Sequence, residues 1–180
     1  MASFDLWIDG LLKDEGGYAP RDNDRGAVNR GITQQTLDWI HATRPDLVSA
    51  LGLPLKVADL TVDQTKGIYR VLYWNANRLT EINDQKLANL LGHMGVNQGT
   101  VTAAKFLQQA LRLDGTPVKV DGVIGQQTLT AANTLLVITE EALCVIVKYF
   151  ALRRYVSLAV KNPGLYSDDL QGWAARLDSL

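Results

Sequence analysis

The first apolar positions of the chain, Phe4, Trp7, Ile8, Leu11 and Leu12, recur at three-and-four spacing, with Asp5, Asp9, Lys13 and Asp14 elsewhere around the wheel. That spacing predicts an amphipathic helix. Gly16-Gly17 supplies its stop, because glycine enters the left-handed cap conformation at little cost. Residues 18–32 are polar and glycine-bearing and lose the helical period, so they predict a loop or a short β-hairpin. A helix is expected from Thr33 to about Ala42. Thr61 and Gln64 have the spacing of a capping box, opening a helix to about Trp74. Further helical periods cover residues 84–94, 101–113, 126–136, 139–161 and 167–178, with Asn162-Pro163-Gly164 as the turn before the last. The expectation is a mainly α fold with one short hairpin or loop after the first helix.

No Gly/Ser- or Pro-rich linker interrupts the 180 residues, and Gln98-Gly99-Thr100 reads as a tight turn between helices. Two parts are expected, 1–99 and a helical 100–180, the second packed on the first. A chain this long buries roughly 70% of its unfolded surface and needs no covalent staples. Its one cysteine, Cys144, is flanked by Leu143, Val145 and Ile146 and reads as an ordinary buried thiol. Eighteen basic against nineteen acidic residues leave a formal charge of −1, which argues against a nucleic-acid surface. The N-terminus lacks the basic and apolar regions of a secretory signal. No apolar run reaches membrane-spanning length; residues 135–160 come nearest, interrupted by Glu140, Glu141, Lys148, Arg153 and Arg154. His41 and His93 have no cysteine or carboxylate at ligand spacing, so a zinc site is not expected, and nothing else in the chain implies a metal or cofactor.

Candidate chemistry begins at Glu15. Positions 4, 7, 8, 11, 12 and 15 share one face, so Glu15 continues an apolar stripe at the unfavourable end of the helix dipole. Both effects disfavour the charged form of a carboxyl group. A carboxylic acid kept protonated is what cleavage of a glycosidic bond requires, because the leaving oxygen must receive a proton. The competing reading is a surface glutamate at a frayed helix end. Asp22 and Asp24 follow on a segment able to fold back; either supplies a second carboxylate, or both make turns with Asn23 and Gly26. Trp39, Tyr69, Tyr73 and Trp74 could stack on sugars, but aromatics at helical spacing more often belong to a core.

An ordered set of short motifs spans nearly the whole chain. Glu15-Gly16-Gly17-Tyr18, Asp24-Arg25-Gly26 and Gly31-Ile32-Thr33 are followed by Tyr73-Trp74 and Val96-Asn97-Gln98-Gly99. Leu107-Gln108, Asp121-Gly122-Val123-Ile124-Gly125 and Gly172-Trp173 with Arg176 complete it. The set resembles the bacterial and phage N-acetylmuramidases of glycoside hydrolase family 108. The resemblance implies a helical, lysozyme-like fold and cleavage of the β-1,4 bond between N-acetylmuramic acid and N-acetylglucosamine. It implies Glu15 as the essential acid; Asp24 is the expected second carboxylate, and Tyr18, Asn29 and Asn97 are the expected substrate contacts. The chain differs from the family pattern where a threonine is usual, at Val28 or Asn29, and where an acid is usual, at His93.

Residues 107–128 are also similar to small helical peptidoglycan-binding modules, either anchoring the wall or only bracing the catalytic part. The expected partner is bacterial peptidoglycan, met by a monomer without nucleic-acid binding or membrane insertion. The implied role is an endolysin or a wall-opening secretion factor. Such a protein would be made in the bacterial cytoplasm without a signal peptide. It would reach the periplasm or the wall through a holin-like pore or by lysis. The rival reading is a non-catalytic peptidoglycan-binding protein.

Overall fold

A computed structural model describes residues 1–14, 17–20, 26–166 and 169–179. They fall into two compact units, Phe4–Asn75 and a second comprising Met1–Ser3 with Ala76–Leu180.

In the Phe4–Asn75 unit, helix α1 (Phe4–Asp14) buries the expected stripe: Phe4, Trp7, Ile8 and Leu11 are all nearly inaccessible. Three two-residue strands follow, β1 (Tyr18–Ala19), β2 (Val28–Asn29) and β3 (Ile32–Thr33), paired antiparallel in chain order. The hairpin expected between 18 and 32 is therefore present, widened to three strands. Thr33 ends β3 and caps α2 (Gln34–Thr43), its hydroxyl accepting from Thr36 N at 3.1 Å. Helix α3 (Pro45–Leu51) was not expected; Pro45 opens it and Gly52 closes it in the left-handed conformation, both standard boundary signals. The Thr61–Gln64 capping box forms at the start of α4 (Val62–Tyr69).

Helix α4 runs on as a π-helical turn, Arg70–Asn75. Widening the turn to i→i+5 bonding brings residues five apart onto one face. Tyr69 and Trp74 are accordingly both buried. Trp74 stacks on Trp7 at 5.3 Å and meets Phe4 edge-on at 5.8 Å, so α1 is held by aromatic contacts along its inner face. Trp39, by contrast, is half exposed and outside this cluster.

Among the described residues the other unit carries α-helices and no strand: α5 (Gln85–Gln98), α6 (Thr100–Leu113), α7 (Gln126–Asn133), α8 (Glu140–Lys161), α9 (Pro163–Tyr166) and α10 (Asp169–Ser179). Asp84 caps α5 through Leu87 N at 2.6 Å, and Thr139 caps α8 through Ala142 N at 3.1 Å. Helix α5 runs past its expected end to Gln98, where Gly99 at φ 90° closes it, and its Leu87, Leu90, Leu91 and Met94 are buried where it packs with α6 and α8. Ala103, Ala104, Ala110 and Ala151 keep the α6 and α8 backbones close. Tyr155 of α8 stacks on Trp173 of α10 at 4.6 Å.

Helix α7 stops short of the expected residue 136 for an electrostatic reason. The buried Asp114 carboxylate accepts from the backbone N–H groups of Leu136, Val137 and Ile138 at 2.8–2.9 Å. Those donors are thereby held outside any helix. Burial pushes the Asp114 pKa up, but the three N–H groups and the Thr116 hydroxyl together outweigh it and hold the group below the usual carboxylate range.

The compact units divide at 75/76, whereas the sequence pattern suggested 99/100. Helix α5 accounts for the difference: it precedes Gly99 in sequence but shares its buried face with α6 and α8.

Candidate active site

Glu15 and Asp24 lie outside the described residues. Their flanks are described, and belong to the Phe4–Asn75 unit. Helix α1 ends at Asp14, immediately before Glu15, and β1 begins at Tyr18. Gly17 O accepts from Arg30 N at 3.3 Å, tying the start of β1 to the β2–β3 turn. Tyr18 pairs with Asn29, and Asn29 in turn with Ile32.

The turn between β2 and β3 contains only Arg30 and Gly31, both with positive φ, at 48° and 80°. Such a two-residue turn matches the twist of the flanking strands, but places a non-glycine residue in a disfavoured region. Arg30 is held there by several bonds. Its Nη1 donates to Asn29 Oδ1 at 2.8 Å and to Leu60 O at 3.4 Å, and its carbonyl accepts from the Tyr69 hydroxyl at 3.0 Å.

Asn29 is 1% exposed. Its Nδ2 donates to Val57 O at 2.9 Å and Leu60 O at 3.3 Å, while its Oδ1 accepts from Arg30. The amide thus braces the hairpin against the 57–60 turn instead of facing outward, which does not suit the substrate contact expected of it. Val28, the other position in register with the family threonine, pairs with Ala19 and Thr33. Tyr18 is different: it is 50% exposed and available to a ligand. Arg30 and its anchor Tyr69 were not singled out from sequence as a pair. The two-residue Arg-Gly turn between Val-Asn and Ile-Thr was the signal that could have found it.

Asn97 belongs to the other compact unit, near the end of α5. Its Oδ1 accepts from Arg176 Nη1 at 3.0 Å, joining two motifs 79 residues apart. His93, one turn earlier, is buried.

Residues 8–99 match the family model described as Glycosyl hydrolase 108. The chain belongs to this glycosyl hydrolase family. Residues 102–178 match a second model, described as Predicted Peptidoglycan domain. A solved structure of SagA from Brucella abortus shares the fold, with a TM-score of 0.69 and 22% sequence identity, covering 98% of this chain and 94% of that one. No curated protein matches it in sequence. A family 108 catalytic part joined to a peptidoglycan domain makes the chain a peptidoglycan hydrolase.

Within the peptidoglycan domain of this family 108 chain, the Leu107-Gln108 and Asp121-Gly122 motifs meet each other. Gln108 is 1% exposed; its Nε2 donates to Asp121 Oδ1 and Val123 O, each at 2.9 Å, and its Oε1 accepts from Gly122 N at 2.8 Å. Gly122 has φ 86°, and a Cβ there would come within 2.6 Å of Val101 Cγ1 and 3.0 Å of Val101 O. The motif is therefore a brace that closes the 114–125 loop on α6. Its neighbours Lys119 and Val123 are exposed.

A cleft of about 480 Å³ in the Ala76–Leu180 unit is lined by Asp84, Glu140, Glu141 and Cys144, among others. Burial, with Asp84 nearby, pushes the half-buried Cys144 thiol up to about 11, so it stays protonated at neutral pH and offers no nucleophile. The Asp84 carboxylate is already committed to capping α5.

Proposed function

We propose that this family 108 hydrolase is an N-acetylmuramidase, cleaving the β-1,4 bond between N-acetylmuramic acid and N-acetylglucosamine. Glu15 donates the proton to the leaving glycosidic oxygen, and Asp24 is the second carboxylate, positioning water or supporting positive charge on the sugar ring. Tyr18 offers its half-exposed ring to the substrate, and Asn97 is kept as a polar contact at the α5 end. Asn29 acts through the hairpin it braces.

The observation that carries this reading is the anchoring of the chain on both sides of Glu15. The helix before it is held by the Trp7–Trp74 stack, and Gly17 after it is tied to a strained, multiply bonded turn. A general acid works only where its carboxyl group is held in place against the bond being cleaved, and backbone strain is characteristic of functional sites. The proposed setting is the wall of a bacterium, reached from the cytoplasm through a pore or by lysis, in the manner of an endolysin or a wall-opening secretion factor.

Mass spectrometry of fragments released from purified peptidoglycan tests the bond assignment. Fragments ending in reducing N-acetylmuramic acid are expected. Reducing N-acetylglucosamine ends, or anhydro ends, would place the chain in another class of wall hydrolase, and no release at all would favour a non-catalytic wall binder.

A further inference from the structure

Helix α8 buries one face through Leu143, Val147, Ala151, Tyr155 and Ala159. A second apolar stripe lies elsewhere on it, through Val145, Tyr149, Leu152, Val156 and Val160, and every one of these residues is exposed. At 3.6 residues per turn the five positions fall within roughly 80° of the helix surface, so they form one continuous strip over four turns. Isolated exposed valines need no explanation, but a contiguous strip of this length marks a surface that meets something apolar.

The charges on the same helix are one-sided. Between Ala142 and Tyr166 there are four cations, Lys148, Arg153, Arg154 and Lys161, and no acid, in a chain whose formal charge is −1. The acids Glu140 and Glu141 are confined to the first turn. Arg153, Arg154 and Lys161 form no ion pair among the described residues. These three line a depression of about 320 Å³ on the neighbouring face of the helix, with Phe150 and Leu158 in its wall and no carboxylate, and Arg153 lies between it and the strip.

We infer that α8 is a docking surface for an anionic lipid bilayer, on which it lies without crossing. No described helix is long and apolar enough to span a membrane. An apolar strip flanked by basic residues is the pattern of a helix resting in the headgroup region, the strip reaching the acyl boundary and the cations meeting lipid phosphates. The basic depression is of a size to take a phosphate-bearing headgroup. Two other occupants fit less well. A second copy paired in parallel sets the same four cations against each other, and one paired antiparallel answers them only with Glu140 and Glu141 of the first turn. An anionic wall polymer answers the charges but leaves the valines, leucine and tyrosine without a partner. Docking here would hold the hydrolase at the membrane that bounds the wall layer, a property beyond wall cleavage itself.

The test uses the full chain with vesicles of phosphatidylcholine alone or with about one-third phosphatidylglycerol. Sedimentation with the anionic vesicles is expected, with at least tenfold weaker binding to the neutral ones and strong weakening at 0.5 M salt, since each basic residue near an anionic surface contributes about fivefold. Val156→Asn with Val160→Asn, and separately Arg153→Glu with Arg154→Glu, are each expected to reduce binding at least tenfold. Cleavage of soluble wall fragments and the melting midpoint are expected to stay unchanged. No binding to anionic vesicles, equal binding to both kinds, or loss of only wall sedimentation in the arginine variant would overturn the inference. So would a concentration-dependent dimer in solution that the valine variant abolishes.

Discussion

The hydroxyl of Tyr69 donates to the carbonyl of Arg30 over 3.0 Å, fastening the end of α4 to the tip of the β2–β3 hairpin. Arg30 sits there at φ 48°, and its backbone N–H reaches Gly17, two residues past Glu15. A bond between a buried aromatic and a strained turn is thus only one further link from the proposed acid. Tyr69→Phe keeps the ring and its packing on Trp7 but removes this donor, leaving the Arg30 carbonyl short of a partner. A loss of about 1 kcal/mol in stability is expected. Wall cleavage is expected to fall at least severalfold, read as kcat at saturating wall. Unchanged turnover would show that the turn does not position the acid.

Asp114→Asn is expected to destabilise the helical unit strongly. The amide cannot accept from Leu136, Val137 and Ile138 with both of its polar atoms, since one of them is now a donor. The melting midpoint at neutral pH is expected to drop by about 5 °C. The pH dependence follows from the sign of the shift. A carboxylate held below its unfolded value contributes stability above that value and loses it as the pH falls through the folded one. The gap between wild type and variant is therefore expected to be constant above about pH 5 and to close progressively below about pH 4. A gap that widens in acid would contradict the assignment.

Gly122→Ala places a Cβ against Val101 and forces an alanine to φ 86°. The cost is expected to exceed about 1 kcal/mol. The exposed Lys119→Glu is expected to leave the melting midpoint unchanged. Thermal unfolding of the two variants separates a structural motif from a wall-contacting one. A stable Gly122→Ala protein that has lost wall sedimentation would mean the loop itself touches the wall.

A fragment ending at Gly99 retains α5 but lacks α6 and α8, the helices packed on Leu87, Leu90, Leu91 and Met94. Such a fragment is expected to aggregate, with ANS binding that the full chain does not show. A soluble, fully active fragment 1–99 would establish that the catalytic part is complete before residue 100.

Much of the fold was legible in the spacing of apolar residues, because α1, α2, α4 and α6–α8 each bury one face, and Thr33, Thr61 and Thr139 cap α2, α4 and α8. Helix α3 was missed because the seven residues from Pro45 to Leu51 offer only two turns of period. The end of α7 was misjudged because a distant residue, Asp114, takes the backbone donors that would have continued it. In the site, Asn29 was legible as a polar residue at a telling place but not as a brace. Its partners, the carbonyls of Val57 and Leu60, are some 30 residues away and leave no trace in side-chain pattern. Gln108 is a similar case, its motif readable as a wall anchor or as a brace until its bonds to Asp121 and Gly122 show a hydrogen-bonded clasp.

Turbidity loss of purified peptidoglycan under Glu15→Gln tests the central claim most directly. The amide is close in shape to the acid but has no acidic proton to donate, and general-acid catalysis contributes about a hundredfold or more. Cleavage is expected to fall by at least that factor, with the melting midpoint and wall sedimentation unchanged. A Glu15→Gln protein that still clears walls at near the wild-type rate would show that the proton comes from another residue and would contradict the account.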